Sequence, residues 1–285
     1  MRCVAMMMLV LAFPEVSRGE AAGELPLSHM FSAPKEGTVM TSLGAENDTL
    51  SGTYEYQGTL RSFREQLGLP IYYHQNSLRQ TSSVMAGYAV DDSFSMTVEQ
   101  AYEVYRSRTD ANDGSESGSN ESQGLFNPVV QLNYRMLRDE TFLGFGVYGW
   151  ANAGAEDSKL NYNSYWGYLE LGEAAWEVLA VKMRGELNHK TREDAKLGSR
   201  ISLEAQVNMA ADFYLDLGVY REKLPDESYD SQRDGFRSRL AMQLNGQTAA
   251  EMSYRRSLRR VAHRRGFDFH SSSTAYSLAL THWLP

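Results

Sequence analysis

The sequence predicts an all-β protein, a membrane-spanning antiparallel β-barrel of about twelve strands. Three observations carry this. An apolar leader at the N-terminus marks export. Beyond it the chain shows long period-two alternation and little helical periodicity. The connections between the alternating runs switch between short and long.

The leader comes first. Arg2 is a short positive region, Cys3 to Phe13 is an unbroken apolar run, and Pro14 ends it. The run is too short for a membrane helix, which needs ~20 apolar residues. Gly19-Glu20-Ala21 sets small residues where a signal peptidase reads, so the expectation is cleavage after Ala21, a periplasmic segment at 22–36 and a barrel at 37–285. Cleavage removes Cys3, the only cysteine, leaving no disulfide and no thiolate chemistry. A closed barrel needs no such staple, because its backbone hydrogen bonds close on themselves.

The chain is acidic, with 36 Asp and Glu against 28 Lys and Arg, which argues against nucleic acid as a partner. No segment after residue 21 approaches a transmembrane helix. Barrel strands escape that test because lipid-facing and lumen-facing residues average out.

The strand signal is clearest in Ser199 to Met209, where Ile201, Leu203, Ala205, Val207 and Met209 alternate with Arg200, Ser202, Glu204, Gln206 and Asn208. The same pattern runs through Phe94 to Val104, Val130 to Met136, Leu179 to Asn188 and Arg239 to Leu244. Short connections are expected at Asp91-Asp92, Arg138-Asp139-Glu140, Gly172-Glu173, Ala210-Ala211 and Gly246-Gln247. Longer polar ones are expected at 57–79, 108–126, 154–162, 189–198, 224–234 and 262–266. A secreted β-sandwich would keep strands nearer ~5–6 residues, whereas a tilted membrane strand needs ~9–11. Between Thr38 and Tyr56 the apolar parity flips, from Val39, Leu43 and Ala45 to Leu50, Tyr54 and Tyr56, and a bulge near Asn47-Asp48 would account for it. Tyr102, Tyr105, Trp150, Tyr165, Trp166 and Trp283 are candidates for aromatic girdles.

The last strand resembles the C-terminal assembly signal of bacterial outer-membrane proteins. Tyr276, Leu278, Leu280 and Leu284 share one parity, although His282 interrupts it and Trp283 lies on the other phase. The resemblance implies residence in a Gram-negative outer membrane, with membrane lipid, lipopolysaccharide and the barrel-assembly machinery as partners.

Phosphate loops, zinc spacings, EF-hand loops and G-x-S-x-G elbows are absent from the sequence, so no cofactor and no metal are expected. Thr109 to Gly124 is acidic and Gly/Ser-rich. Asp110, Asp113 and Glu116 are oxygen ligands of the type a divalent cation takes, while the composition reads as a solvated loop. His270 and Ser272 share one strand face, and the pair resembles the His-x-Ser of outer-membrane phospholipases and lipid A deacylases. The Asn that follows in those families is replaced by Ser273 and Thr274. A lipid hydrolase is therefore the alternative function.

Strand parity separates two arginine sets. Arg256 and Arg260 fall on the outward face near the top of the penultimate strand, at the height of lipopolysaccharide phosphates. Lys182, Arg184, Arg200, Arg237, Arg239, Arg255 and Arg259 fall inward, diluted by Glu186, Glu204, Asp216 and Glu251. Glu99 and Glu103 line the opposite wall. The arrangement resembles the arginine tracks of sugar-acid porins, which implies a channel for small anionic or zwitterionic solutes. A lumen closed by Arg–Glu pairs is the competing expectation.

Overall fold

The computed structural model describes residues 34–56, 72–112, 117–138, 140–150, 163–176, 178–191, 196–210, 212–225, 229–263 and 267–284. The leader, and with it the signal-peptide expectation, lies outside the described residues.

Thirteen strands run in chain order: β1 (Val39–Tyr56), β2 (Tyr72–Ala89), β3 (Phe94–Ala111), β4 (Ser117–Leu125), β5 (Val129–Arg138), β6 (Thr141–Trp150), β7 (Ser164–Trp176), β8 (Leu179–Lys190), β9 (Gly198–Ala210), β10 (Phe213–Pro225), β11 (Tyr229–Asn245), β12 (Thr248–His263) and β13 (Phe267–Leu284). Each pairs antiparallel with its sequence neighbour except at β4, and β13 closes the sheet on β1. The upper part of β3 pairs with β4 and its lower part with β5, so these two short strands share one position in the wall. The result is a closed barrel of twelve positions, with no helix among the described residues. Closure leaves no strand edge unpaired at membrane depth, which a bilayer demands of any β structure.

The short turns and both barrel termini lie at one end. Asp91 caps its turn by accepting from the amides of Ser93 and Phe94 (both 2.7 Å), and Asn245 accepts from Gln247 (2.8 Å). By the rule for these barrels that end is periplasmic. Gly172-Glu173 is not a turn. β7 runs through it, and Gly172 is needed because a Cβ there would sit 2.1 Å from the Phe142 ring. The expected loop at 108–126 is also largely strand: it carries the end of β3 and all of β4, whose residues 117–123 are exposed on both faces. Pairing with β3 outside the bilayer requires no apolar face, so composition concealed it.

The barrel is taller on one side. Strands β1 to β3 and β13 have 18 residues, while β5 and β6 have 10. Eighteen residues extend about 60 Å, or roughly 40 Å along the normal at a 45° tilt, against an apolar band of about 25 Å. This explains the parity flip in β1. Its register to β13 and to β2 is unbroken from Val39 to Glu55, so the expected bulge at Asn47-Asp48 is absent. Val39, Leu43 and Ala45 face lipid. Above them Asn47, Thr49 and Ser51 keep the outward parity, while Leu50 turns inward. Apolar residues change sides because the strand leaves the bilayer.

The outward face carries exposed apolar side chains around the ring, among them Val98, Leu132, Leu169, Ile201, Val219 and Leu278. Such a belt on a closed barrel is a membrane surface, and the chain has the fold of a membrane-spanning β-barrel. Tyr102 and Tyr165 are outward as expected, but Tyr105, Trp150, Trp166 and Trp283 face the lumen by register. Aromatic identity alone does not reveal the face; parity does. Tyr88, Tyr254 and Tyr276 are outward aromatics instead.

Candidate functional site

The cross-strand register sets every expected lumen residue inward: Lys182, Arg184 and Glu186 on β8, Arg200 and Glu204 on β9, Asp216 on β10, Arg237 and Arg239 on β11, Glu251, Arg255 and Arg259 on β12, and Glu99 and Glu103 on β3. In the twelve-position ring, β3 stands six positions from β10 and so lies across the bore from it.

These side chains form a network. Arg135 on β5 donates to Glu170 on β7 (2.7 Å), which also faces Lys182 (3.9 Å) and Arg184 (3.7 Å). Lys182 continues to Glu204 (3.2 Å), and Glu204 pairs with Arg237. Arg184 also binds Glu186 (2.7 Å), Glu186 binds Arg200 (3.0 Å), and Arg200 binds Glu222 (2.7 Å), which meets Arg233 (3.6 Å). One chain of charges thus crosses the wall from β5 to β11. Smaller groups of charges also line the lumen. Arg239 joins Asp216 to Glu251, Arg255 reaches Glu46 (3.0 Å) and Asp48 (3.6 Å), and Arg79 meets Glu103 (3.1 Å). Arg259 donates to Ser231 (3.0 Å). Glu99 is half-buried and forms no ion pair with any described residue.

Several pairs skip a strand, and a small inward residue makes room each time. Arg135 to Glu170 crosses Gly144, Glu204 to Arg237 crosses Gly218, and Arg255 to Asp48 crosses Ala275. A Cβ at Gly144 would lie 2.6 Å from the Glu170 carboxylate. Aromatic rings hold the guanidinium groups from behind: Arg184 lies 3.8 Å from the Tyr168 ring centre and Arg200 4.8 Å from that of Trp166.

The partners of each pair differ in access to water. The Glu204 side chain is 6 % exposed while its partner Arg237 is 49 % exposed. Glu222 is 4 % exposed against 31 % for Arg200, and Asp216 9 % against 37 % for Arg239. In these three pairs the carboxylate lies against the wall and the guanidinium group is the more exposed partner, whereas Arg255 and Glu46 are nearly equally exposed. The two halves of the wall differ as well. From β5 to β10 it is filled by long charged and aromatic side chains. On β1 to β3, β12 and β13 small half-buried hydroxyl residues, including Ser42, Thr81, Ser83, Thr97, Ser253 and Ser277, are interspersed with the charged side chains of Arg79, Glu103, Glu46, Asp48, Glu251, Arg255 and Arg259. At the turn end Met40, Phe142, Ala180, Tyr214, Ala241 and Ala249 are buried apolar residues, with Phe142 and Ala180 packed together.

Sequence reasoning missed Arg79, Arg135, Arg233, Glu46, Asp48, Glu170 and Glu222. Parity carried four residues back from Arg237 would have found Arg233, and two back from Gly172 would have found Glu170. Which charges pair could not be read, because it depends on register between distant segments.

On the outer face, Arg256 and Arg260 are exposed as expected, beside Thr274 and His270 of β13. His270 and Ser272 share that face, but no hydrogen bond joins them; their neighbours on β1 are Thr53 and Ser51. Asp110 is paired with Arg108 (2.9 Å), while Asp113 and Glu116 lie outside the described residues. No metal-holding cluster of His, Cys, Asp or Glu occurs among the described residues.

No family model matches the sequence, and no curated protein matches it. In fold the chain is similar to an outer membrane channel from Pseudomonas putida F1, with a TM-score of 0.63 and 12 % identity over 92 % of this chain and 100 % of that one. A FadL homologue from Pseudomonas aeruginosa (TM-score 0.46, 8 % identity, 86 % and 90 % covered) and the KdgM porin (0.42, 11 %, 82 % and 98 %) are more distant. The shared feature is the fold: a closed antiparallel barrel of outer-membrane type.

Proposed function

We propose that the barrel is a channel for small anionic or zwitterionic solutes. The supporting observation is the orientation of the lumen pairs, with carboxylates buried against the wall and the heads of Arg200, Arg237 and Arg239 turned to the bore. Formal charge nearly cancels in such pairs. A passing ion nonetheless meets the guanidinium side first, and a narrow low-dielectric bore amplifies that field. The half formed by β1 to β3, β12 and β13 adds small hydroxyl residues between its charged pairs. Glu99 and Glu103, across from the arginines, would receive the ammonium of a zwitterion. The fold's similarity to a protein described as an outer membrane channel agrees with this reading.

The test is the reversal potential in a planar bilayer under a salt gradient. Wild type is expected to conduct with anion preference, and Arg239→Ala/Arg255→Ala to lose most of it. A closed wild-type barrel, or a preference that survives both substitutions, contradicts the proposal.

A further inference from the structure

The outward surface changes character within single strands. On β13, Leu284, Leu280, Leu278 and Tyr276 face out in the lower half, and Thr274, Ser272 and His270 in the upper half. On β12, Ala250, Met252 and Tyr254 give way to Arg256, Leu258 and Arg260. Tyr254 and Tyr276 meet at the change, their ring centres 5.2 Å apart. Paired outward tyrosines mark the membrane interface, so the residues immediately above them stand at head-group height. There a groove of about 540 Å³ runs across β13, β1, β2 and β3, bordered by Ser272, Thr274, Thr49, Ser51, Asn76 and Arg106.

The arginines of this face are not equivalent. Arg106 is held by Glu121 (2.9 Å), Arg108 by Asp110 (2.9 Å) and Arg221 by Asp234 (2.6 Å). Asp234, the acid nearest in register to Arg256 and Arg260, is also taken by Gln232 (3.0 Å). Arg256 and Arg260 are exposed, four residues apart on one face, and pair with no acid among the described residues. Two open guanidinium groups beside a hydroxyl- and amide-lined groove match a head group that carries phosphate and sugar together. Guanidinium binds phosphate bidentately, and hydroxyls and amides hydrogen-bond to sugar.

We infer that the outward face of β12, β13, β1 and β2, just above Tyr254 and Tyr276, binds the phosphorylated sugar head group of an outer-leaflet glycolipid. Arg256 and Arg260 take its phosphate, and Thr49, Ser51, Asn76, Ser272 and Thr274 take its sugar. The inference is independent of conduction through the lumen.

The experiment measures binding of lipopolysaccharide to the full barrel in neutral detergent, with heat-shifted gel mobility confirming that each variant is folded. Phosphorylated lipopolysaccharide is expected to bind at least tenfold more tightly than the same lipid stripped of phosphate. Arg256→Ala/Arg260→Ala is expected to lose at least tenfold, and Ser272→Val/Thr274→Val to weaken binding severalfold. Arg221→Ala, which removes a paired arginine, is expected to leave affinity unchanged. Equal affinity of wild type and the double arginine variant overturns the site. Competition by inorganic phosphate or by phosphatidylglycerol vesicles at the same concentration as lipopolysaccharide overturns the glycolipid assignment.

Discussion

Arg237 and Glu204 form an ion pair although a whole strand separates them. Arg237 lies on β11 and Glu204 on β9, and the contact passes over Gly218 of β10. The glycine is what permits it, since a Cβ there would stand 3.0 Å from Glu204 Cγ and 3.3 Å from Arg237 Cγ. Gly218→Val is therefore expected to force the two side chains apart and to cost about 1–3 kcal/mol. Urea unfolding in detergent, followed by gel mobility, measures this. An unchanged midpoint would mean the pair accommodates the added bulk.

Arg200 is the junction of the longer charge network, bound to Glu186 and Glu222, both buried. Arg200→Met should leave buried Glu222 with only the more distant Arg233 and buried Glu186 with only Arg184, at a cost of about 3–5 kcal/mol. Adding Glu186→Gln and Glu222→Gln should restore most of it, because both buried carboxylates are then neutral and Arg233, the cation that loses its acid, is partly exposed. Unfolding midpoints of the single and triple variants decide, and a triple variant no better than the single one contradicts the network's role.

The apolar belt should be visible along one strand. Leu278 and Ser272 share the outward face of β13, one below the Tyr276 boundary and one above it. An arginine on the lipid face costs about 2–4 kcal/mol at mid-bilayer and about 0–1 near the interface. Leu278→Arg, just inside the apolar band, is expected to destabilise refolding into vesicles more than Ser272→Arg, just outside it, with both below the mid-bilayer figure. Equal penalties would place Ser272 at membrane depth.

Much of this was legible in the sequence because lumen and lipid alternate with period two. Ile201 to Met209 revealed both faces of β9, and the inward positions of Arg237, Arg239, Arg255 and Arg259 followed from parity alone. Two kinds of information were hidden. One is height: Leu50 and Val39 sit on opposite parities because β1 continues past the bilayer, and a parity flip without depth reads as a bulge. The other is close approach across the lumen. Gly172 looks like a turn residue until Phe142 is seen against it, and Trp166 looks like a girdle residue until Arg200 is seen over its ring. β4 was read as loop because its Gly, Ser and Asn composition fits a strand only where β3 supplies the partner.

A channel with a positive bias on the side of β12 would admit water-soluble reagents to Ser253, and single cysteines probe this. The sequence has one cysteine, Cys3, which lies in the leader, so a chain cleaved after Ala21 is free of background thiols. Ser253 stands opposite Arg239 in register and two residues from Arg255, whereas Ser202 is buried in the charge-filled wall. The measurement is the modification rate of Ser253→Cys and Ser202→Cys by a sulfonate-bearing and a trimethylammonium-bearing thiol reagent of similar size. The account predicts fast reaction at position 253, faster with the anionic reagent, and little at 202. A slow reaction at 253, or a faster one with the cationic reagent, would contradict it.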